Sequence, residues 1–311
     1  MLDWTVIVAR FGQYAATLLL CGSALFWLYE APAIGAAAAA ADGARRLLRS
    51  ACALALLSCL VYLLAETASL TGAVSDAFDA SSLWAVVSTT RFGALTAARI
   101  LVLLLAGLGS LTLECGRPLW ILESVLGGAV VASYAWTGHG ALDDGLAGIA
   151  HLGADVLHLL AAALWVGALV PLARLLERAI GARTAADTQC AAQSLERFAR
   201  IGPAVVGLLI ASGIVNVWYV IGPGRWSALF TSPYGRMLLA KLAFFALMLL
   251  LAALNRSRLV PALRRSFERA SSPEAALRRL RLSVASEATL AFLVLAAVAV
   301  LGMLEPPVSM S

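Results

Sequence analysis

The chain has three histidines, His139, His151 and His158, and they sit close together in the stretch WTGHGALDDGLAGIAHLGADVLHLLAAALWVGAL. That stretch runs from a short polar loop into a strongly apolar segment. Imidazole is costly to place in hydrocarbon, so a histidine inside a membrane span marks a functional site by default. It is also the commonest metal ligand among side chains. With a helical rise of ~1.5 Å per residue, His151 stands near the outward start of the span, Asp155 ~9 Å in and His158 ~13 Å in. Positions four and three apart share one helix face, and Trp165 continues the stripe inward.

Imidazoles on one helix do not close a metal site. His151 and His158 are ~10.5 Å apart along the axis, so each needs partners from another helix or from the loop of His139. Met237, one turn above Lys241, and Met303, at the end of the last span, offer thioethers. Imidazole with thioether suits copper, and Cu(I) above Cu(II), whereas hard ions want more oxygen. Asp155 can fix the tautomers of the flanking histidines from behind. Further along, Cys52 and Cys59 share a face of the second span and Cys21 lies in the first, a possible relay of thiols toward the cytoplasm. Glu123 and Glu287 could receive protons or cations there, or pair with loop arginines. Methionine fills irregular gaps and cysteine is a common small apolar residue, so packing is the simpler reading of the thioethers and thiols.

The elements that must position these groups follow from composition. Of 311 residues, 61% are hydrophobic and 13% charged, which excludes a soluble domain. Spans of about 20 mostly apolar residues fall at 5–28, 47–72, 92–114, 118–137, 149–173, 199–222, 234–255 and 282–304. The expected fold is therefore all-α and polytopic, with eight transmembrane helices. The first is too long to read as a cleaved signal peptide. The net charge of +5 comes from arginines grouped in alternate loops, which the positive-inside rule puts in the cytoplasm. Both termini then face outward. The charge speaks of orientation and not of nucleic acid. The five cysteines avoid the outward loops, so a disulfide framework is not expected.

The two halves resemble each other. ARFGQYAATLLLCGSALF aligns without gaps on ADVLHLLAAALWVGALVP, placing Gln13 over His158, Arg10 over Asp155 and Gly22 over Gly167. WAVVSTTRFGALTAAR aligns on WSALFTSPYGRMLLAK, placing Gly93 over Gly235 and Arg99 over Lys241, and the fourth and eighth spans match with Glu123 over Glu287. Four spans per half make this a parallel repeat about an axis along the membrane normal, with 1–145 and 146–311 as the two units of one membrane domain. Gln13, Glu66, Arg99, Asn216 and Lys241 all fall ~8–13 Å below the outer surface, level with Asp155 and His158. Charges in lipid are expensive, so the expectation is one outward-open polar chamber in which Asp155 and Lys241, or Glu66 and Arg99, neutralise each other.

Two segments, GHGALDDGLAGIAHLGADVLHLLAAALWVGAL and TSPYGRMLLAKLAFFALMLLLAALNRSRLVPAL, with the terminal AVLGMLEPP, resemble the copper resistance protein D (CopD/PcoD) family of bacterial inner-membrane proteins. The resemblance implies an eight-span protein of copper homeostasis that moves copper inward from the periplasm, often with a separate periplasmic CopC-type copper-binding partner. The residues that match are His139, His151, Asp155, His158, Trp165, Tyr234, Gly235, Lys241, Asn255 and Arg256. One departure is Gln13, where relatives often carry a histidine after Arg-Phe-x. Two other functions compete with transport. One is a copper-binding assembly factor or sensor without transport. The other is a haem-binding redox protein, disfavoured because two of the three histidines share a helix. No motif of catalytic spacing accompanies the histidines, so an enzyme is not expected.

Overall fold

The computed structural model describes residues 4–30, 37–137, 145–182, 184–222, 224–269 and 272–309, with backbone alone for 37–41 and 182. Eleven α-helices are present among them: α1 (Trp4–Tyr29), α2 (Ala37–Thr71), α3 (Ala80–Thr89), α4 (Arg91–Thr112), α5 (Arg117–Ser133), α6 (Gly145–Ala182), α7 (Ala185–Ile221), α8 (Ala228–Thr231), α9 (Pro233–Leu254), α10 (Val260–Glu268) and α11 (Glu274–Leu301). A π-helical turn, Asn255–Leu259, joins α9 to α10. Eight of these segments are long and apolar enough to cross a membrane, and they coincide with the eight expected spans.

The differences lie between the spans. The 174–198 stretch, expected as a loop, is almost wholly helical, because α6 and α7 run on to 38 and 37 residues. At ~1.5 Å per residue each is ~55 Å long, well beyond the ~30 Å hydrocarbon layer. Their ends therefore form a hairpin outside the membrane. Thr184 caps α7, its Oγ1 accepting from the Asp187 N–H at 3.1 Å, and Arg178 pairs with Asp187 at 3.4 Å. Hydropathy marks where a helix is apolar, and this amphipathic continuation is not. The 73–91 and 223–233 loops likewise contain the short helices α3 and α8.

The arginine clusters gather at one end. Arg49 of α2 donates to the Ser110 carbonyl near the end of α4 at 2.8 Å, and Arg45 to that of Leu113. Arg174 of α6 donates to Gly43 O at 3.1 Å, and Arg197 of α7 pairs with Glu30, just past α1, at 3.2 Å. The bonds to Ser110 and Leu113 satisfy carbonyls at the end of α4 that would otherwise lack partners.

Helices in lipid gain little from burying apolar surface, so close packing of small residues decides which ones associate. The centre of the bundle is the contact between α1 and α6. A Cβ added to Gly22 would collide with the backbone of Ala163 and Gly167, and one added to Gly167 would collide with that of Gly22 and Leu18. Leu18 and Gly22 thus meet Ala163 and Gly167 reciprocally, and Ser23 Oγ donates to Gly167 O at 3.0 Å. A second correspondence sits at the opposite end from the arginines. Thr90 accepts from the Gly93 N–H and Ser232 from the Gly235 N–H, each at 2.9 Å. Both glycines press against the preceding short helix, where a Cβ would meet the carbonyl of Val86 or of Ala228.

Apolar side chains form two main clusters, one chiefly on α1, α2, α4 and α5 and the other chiefly on α6, α7, α9 and α11. α1 is the most enclosed span and α9 the least. α2 packs on α4, whereas α7 and α9 scarcely touch.

Candidate functional site

The histidine stripe of α6 is met by a stripe of identical spacing on α7. His151, Asp155 and His158 stand at i, i+4 and i+7, and so do Ser212, Asn216 and Tyr219. The two helices run in opposite directions, so the residues pair in reverse order as three rungs.

In the outermost rung, His151, 3% exposed, lies flat on the Tyr219 ring, with centroids 4.6 Å apart and planes 9° from parallel. In the middle rung, Asn216 Nδ2 donates to Asp155 Oδ1 at 3.1 Å. Asn216 Oδ1 is buried and accepts nothing among the described residues. In the innermost rung, His158 Nδ1 is 3.1 Å from Ser212 Oγ. The single hydroxyl proton of Ser212 is committed to the Leu208 carbonyl at 2.6 Å. On that basis we assign the ring proton to Nδ1, which donates to Ser212, and the open lone pair to Nε2.

α9 supplies the remaining charge. Lys241 lies within electrostatic reach of both Asp155 and His158. Asp155 also feels His151 and the Tyr234 phenol. A carboxylate, an ammonium, two imidazoles and an amide thus form one connected cluster inside the second half. Two of its atoms, His158 Nε2 and Asn216 Oδ1, have lone pairs to offer a cation.

Of the remaining groups of the expected layer, Gln13, Arg10 and Arg99 bond within the first half. Gln13, 1% exposed, donates from Nε2 to Ser58 O at 3.3 Å. Arg10 donates to the hydroxyls of Tyr62 and Tyr14, each at 3.1 Å. Arg99 is buried under the edge of the bundle. It donates to Ser133 Oγ at 2.7 Å, Ser133 O at 2.9 Å and Thr137 Oγ1 at 3.1 Å, and lies 4.4 Å over the Tyr134 ring. Glu66 is half-buried on α2, beside Tyr62. All of these groups stand on α1, α2, α4 and α5, whereas the rungs stand on α6 and α7.

Other candidates have apolar settings. Met237 packs on a cluster of Val220, Ile221, Leu238 and Leu301, and Met303 is half-buried in the turn after α11. Trp165, 2% exposed, sits in the second half's core, edge-on to Phe198 and Phe245, with its indole against Glu287. Glu287 also accepts from Asn255 Nδ2. Glu123 is fully buried beside the Cys52 thiol, and neither of its oxygens accepts a hydrogen bond among the described residues.

Cys21, Cys52 and Cys59 are buried and form no disulfide. Cys52 donates to Leu103 O at 3.1 Å, Cys21 to Ser124 O at 3.8 Å, and Cys59 lies near Arg99. His139 lies outside the described residues. Among the described residues, no three His, Cys, Asp or Glu side chains close on a single metal position.

Within membrane helices, an imidazole and carboxylate cluster of this kind marks a class of candidate cation sites. The comparisons narrow that class. The family model described as "Copper resistance protein D-like, N-terminal domain" matches residues 1–149, and that described as "Copper resistance protein D" matches residues 192–301. Copper resistance protein D of Pseudomonas syringae pv. tomato is 35% identical over 98% of this chain and 98% of its own length. Inner membrane protein YebZ of Escherichia coli is 28% identical over 87% of this chain and 90% of its own. Copper transport protein CutJ of Bacillus subtilis is 30% identical over 44% of this chain and 24% of its own. No solved structure matches significantly. The chain belongs to the copper resistance protein D family and is a multi-pass inner-membrane protein.

Proposed function

We propose that this protein binds copper as cargo in the second-half cluster and moves it across the inner membrane toward the cytoplasm. The observation that carries the reading is the three-rung ladder, in which Asn216 Oδ1 lacks a donor among the described residues and His158 Nε2 is assigned the open lone pair, beside Asp155. With the arginine-rich end in the cytoplasm, the ladder opens toward the periplasm and both termini lie there. The two four-span units, 1–145 and 146–311, are parallel repeats, and the reciprocal glycine contact of α1 with α6 lies on their shared axis.

A cation arriving from outside meets His151 first, then the Asp155 carboxylate, then His158. Imidazole nitrogen suits Cu(I), and Ser212 holds His158 in the tautomer that presents Nε2. His139 and Met303 belong to the outer entrance in this reading. Lys241 opposes a cation at His158, which keeps binding weak enough for release, as passage requires. A separate periplasmic CopC-type protein would deliver copper to the entrance. Glu123, Glu287, Cys21, Cys52 and Cys59 are the candidates for the inner path.

Metal analysis of detergent-purified protein tests the site: wild type retains copper and the His151→Ala/His158→Ala variant does not. Equal copper in both removes the site. Copper uptake into proteoliposomes separates transport from the assembly or sensing role, in which binding occurs without flux.

A further inference from the structure

α7 and α9 meet only near Val220 and Ile221 and part toward the arginine-rich end, leaving a cavity of about 410 Å³, within the range of ligand pockets. It lies between α6, α7, α9 and α11, toward the arginine-rich end. Its wall is apolar over Leu169, Leu172, Phe198, Val206 and Leu249, among others, and polar where Asn255, Arg256 and Glu287 line it. Gly202 and Gly207 of α7 also face it, and a Cβ on either would meet nothing within 4 Å. The space exists partly because these two positions carry no side chain.

Three observations identify what fills it. First, the floor is built by the π-helical turn Asn255–Leu259, a break in helical register that tends to mark functional positions. Second, the cavity wall carries an exposed cation that no carboxylate neutralises among the described residues. Arg256 lines the cavity, and Arg258 and Arg281 stand exposed nearby in sequence, none of them engaging a carboxylate among the described residues. Glu287, the acid in the wall, is already held by Asn255 and sits against Trp165. Third, Asn255 Oδ1 is buried at the wall without a donor among the described residues.

We infer that the gap between α7 and α9 is a binding site for an anionic phospholipid, with an acyl chain in the apolar cavity and the phosphate on Arg256. Basic pockets between transmembrane helices on the cytoplasmic side have this use. A glycerol headgroup can donate a hydroxyl proton to Asn255 Oδ1. The site is separate from the histidine ladder and stands whether or not copper is the cargo.

Native mass spectrometry of the purified full chain, titrated with phosphatidylglycerol or phosphatidylcholine, tests it. Phosphatidylglycerol is expected to remain bound about ten-fold more tightly than phosphatidylcholine. Arg256→Ala should reduce that preference about five-fold. Gly202→Leu/Gly207→Leu, which sends side chains into the cavity from positions with open space at Cβ, should abolish the adduct while the protein stays monodisperse. Arg264→Ala, whose partner is the exposed Glu268 one turn on, should change nothing. Equal retention of both lipids, preferred retention of a free fatty acid, or a wild-type adduct in the filled variant would overturn the inference.

Discussion

The two halves share a ladder but not its chemistry. In the first half, Gln13 reaches Ser58 and Arg10 reaches Tyr62; in the second, His158 reaches Ser212 and Asp155 reaches Asn216. The serines and the residues four positions beyond them occupy the same rungs in both. What differs is charge and satisfaction. The first half places two permanent cations, Arg10 and Arg99, against tyrosine rings, hydroxyls and a carbonyl. The second places a carboxylate and two imidazoles there, with one titratable cation, Lys241. Arginine cannot shed its proton, so the first half repels a metal cation permanently. At these aligned rungs the contacts correspond, while only the second half places an imidazole and a carboxylate there.

If both halves hang on the α1–α6 contact, breaking it should destroy both together. Gly167→Leu drives a side chain into the backbone of Gly22, with no flexible neighbour to give way. The expected outcome is loss of monodisperse protein after membrane extraction, read by size-exclusion chromatography. Gly153→Leu on the same helix, exposed and with open space around its Cβ position, should extract normally.

Giving the second half the first half's residues is the next largest test. Asp155→Arg with His158→Gln should leave a folded protein whose copper content falls to background. The reverse change, Gln13→His alone, should add no copper, because Arg10 and Arg99 remain on that side. Copper gained by the Gln13→His variant would show that the halves differ by one ligand and not by their electrostatics.

The cations themselves should separate by effect. Arg99→Leu removes three hydrogen bonds from a buried charged donor and should cost about 3 kcal/mol or more, seen as a lowered thermal midpoint. Lys241→Met removes a repulsive charge from beside His158 and should tighten copper binding about ten-fold, or ~1.4 kcal/mol. A Lys241→Met protein that binds copper more weakly would mean that the ammonium orders the site and does not oppose the cargo.

Much of this was legible in the sequence. Eight apolar runs gave the spans, because only satisfied helices cross lipid, and the α6 stripe followed from a period of 3.6. The facing stripe of Ser212 and Tyr219 has the same period and was equally available. It was missed because a serine or tyrosine in a span draws no attention beside a charge. Asn216, the one residue of that stripe with an amide, was found. Met237 shares a face with Lys241 in the sequence, and in the fold it packs beside Tyr234, Leu238 and the end of α7. A helix face says which way a residue points and nothing about what the next helix brings. The cavity was not legible at all, since it records a contact that fails to form.

Ser212→Ala should have the smallest effect and be the most specific test of the ladder. Ser212 neither carries charge nor faces the open lone pair of His158; it accepts the Nδ1 proton while donating its own to Leu208. Without it, Nδ1 loses its acceptor and the ring is free to adopt the other tautomer, with Nε2 protonated. Copper affinity should fall about three- to ten-fold, within the ~0.5–1.5 kcal/mol of one hydrogen bond, with little change in thermal midpoint. Ser212→Thr keeps the hydroxyl and should restore affinity. Nitrogen-15 spectra of the His158 ring should show the Nδ1-protonated form in the wild type and a mixture in the alanine variant. The same substitution at Ser58 should leave copper unchanged, because Gln13 uses the Ser58 carbonyl and not its hydroxyl. If Ser58→Ala and Ser212→Ala weaken copper equally, the two ladders act as one site and the division between the halves fails.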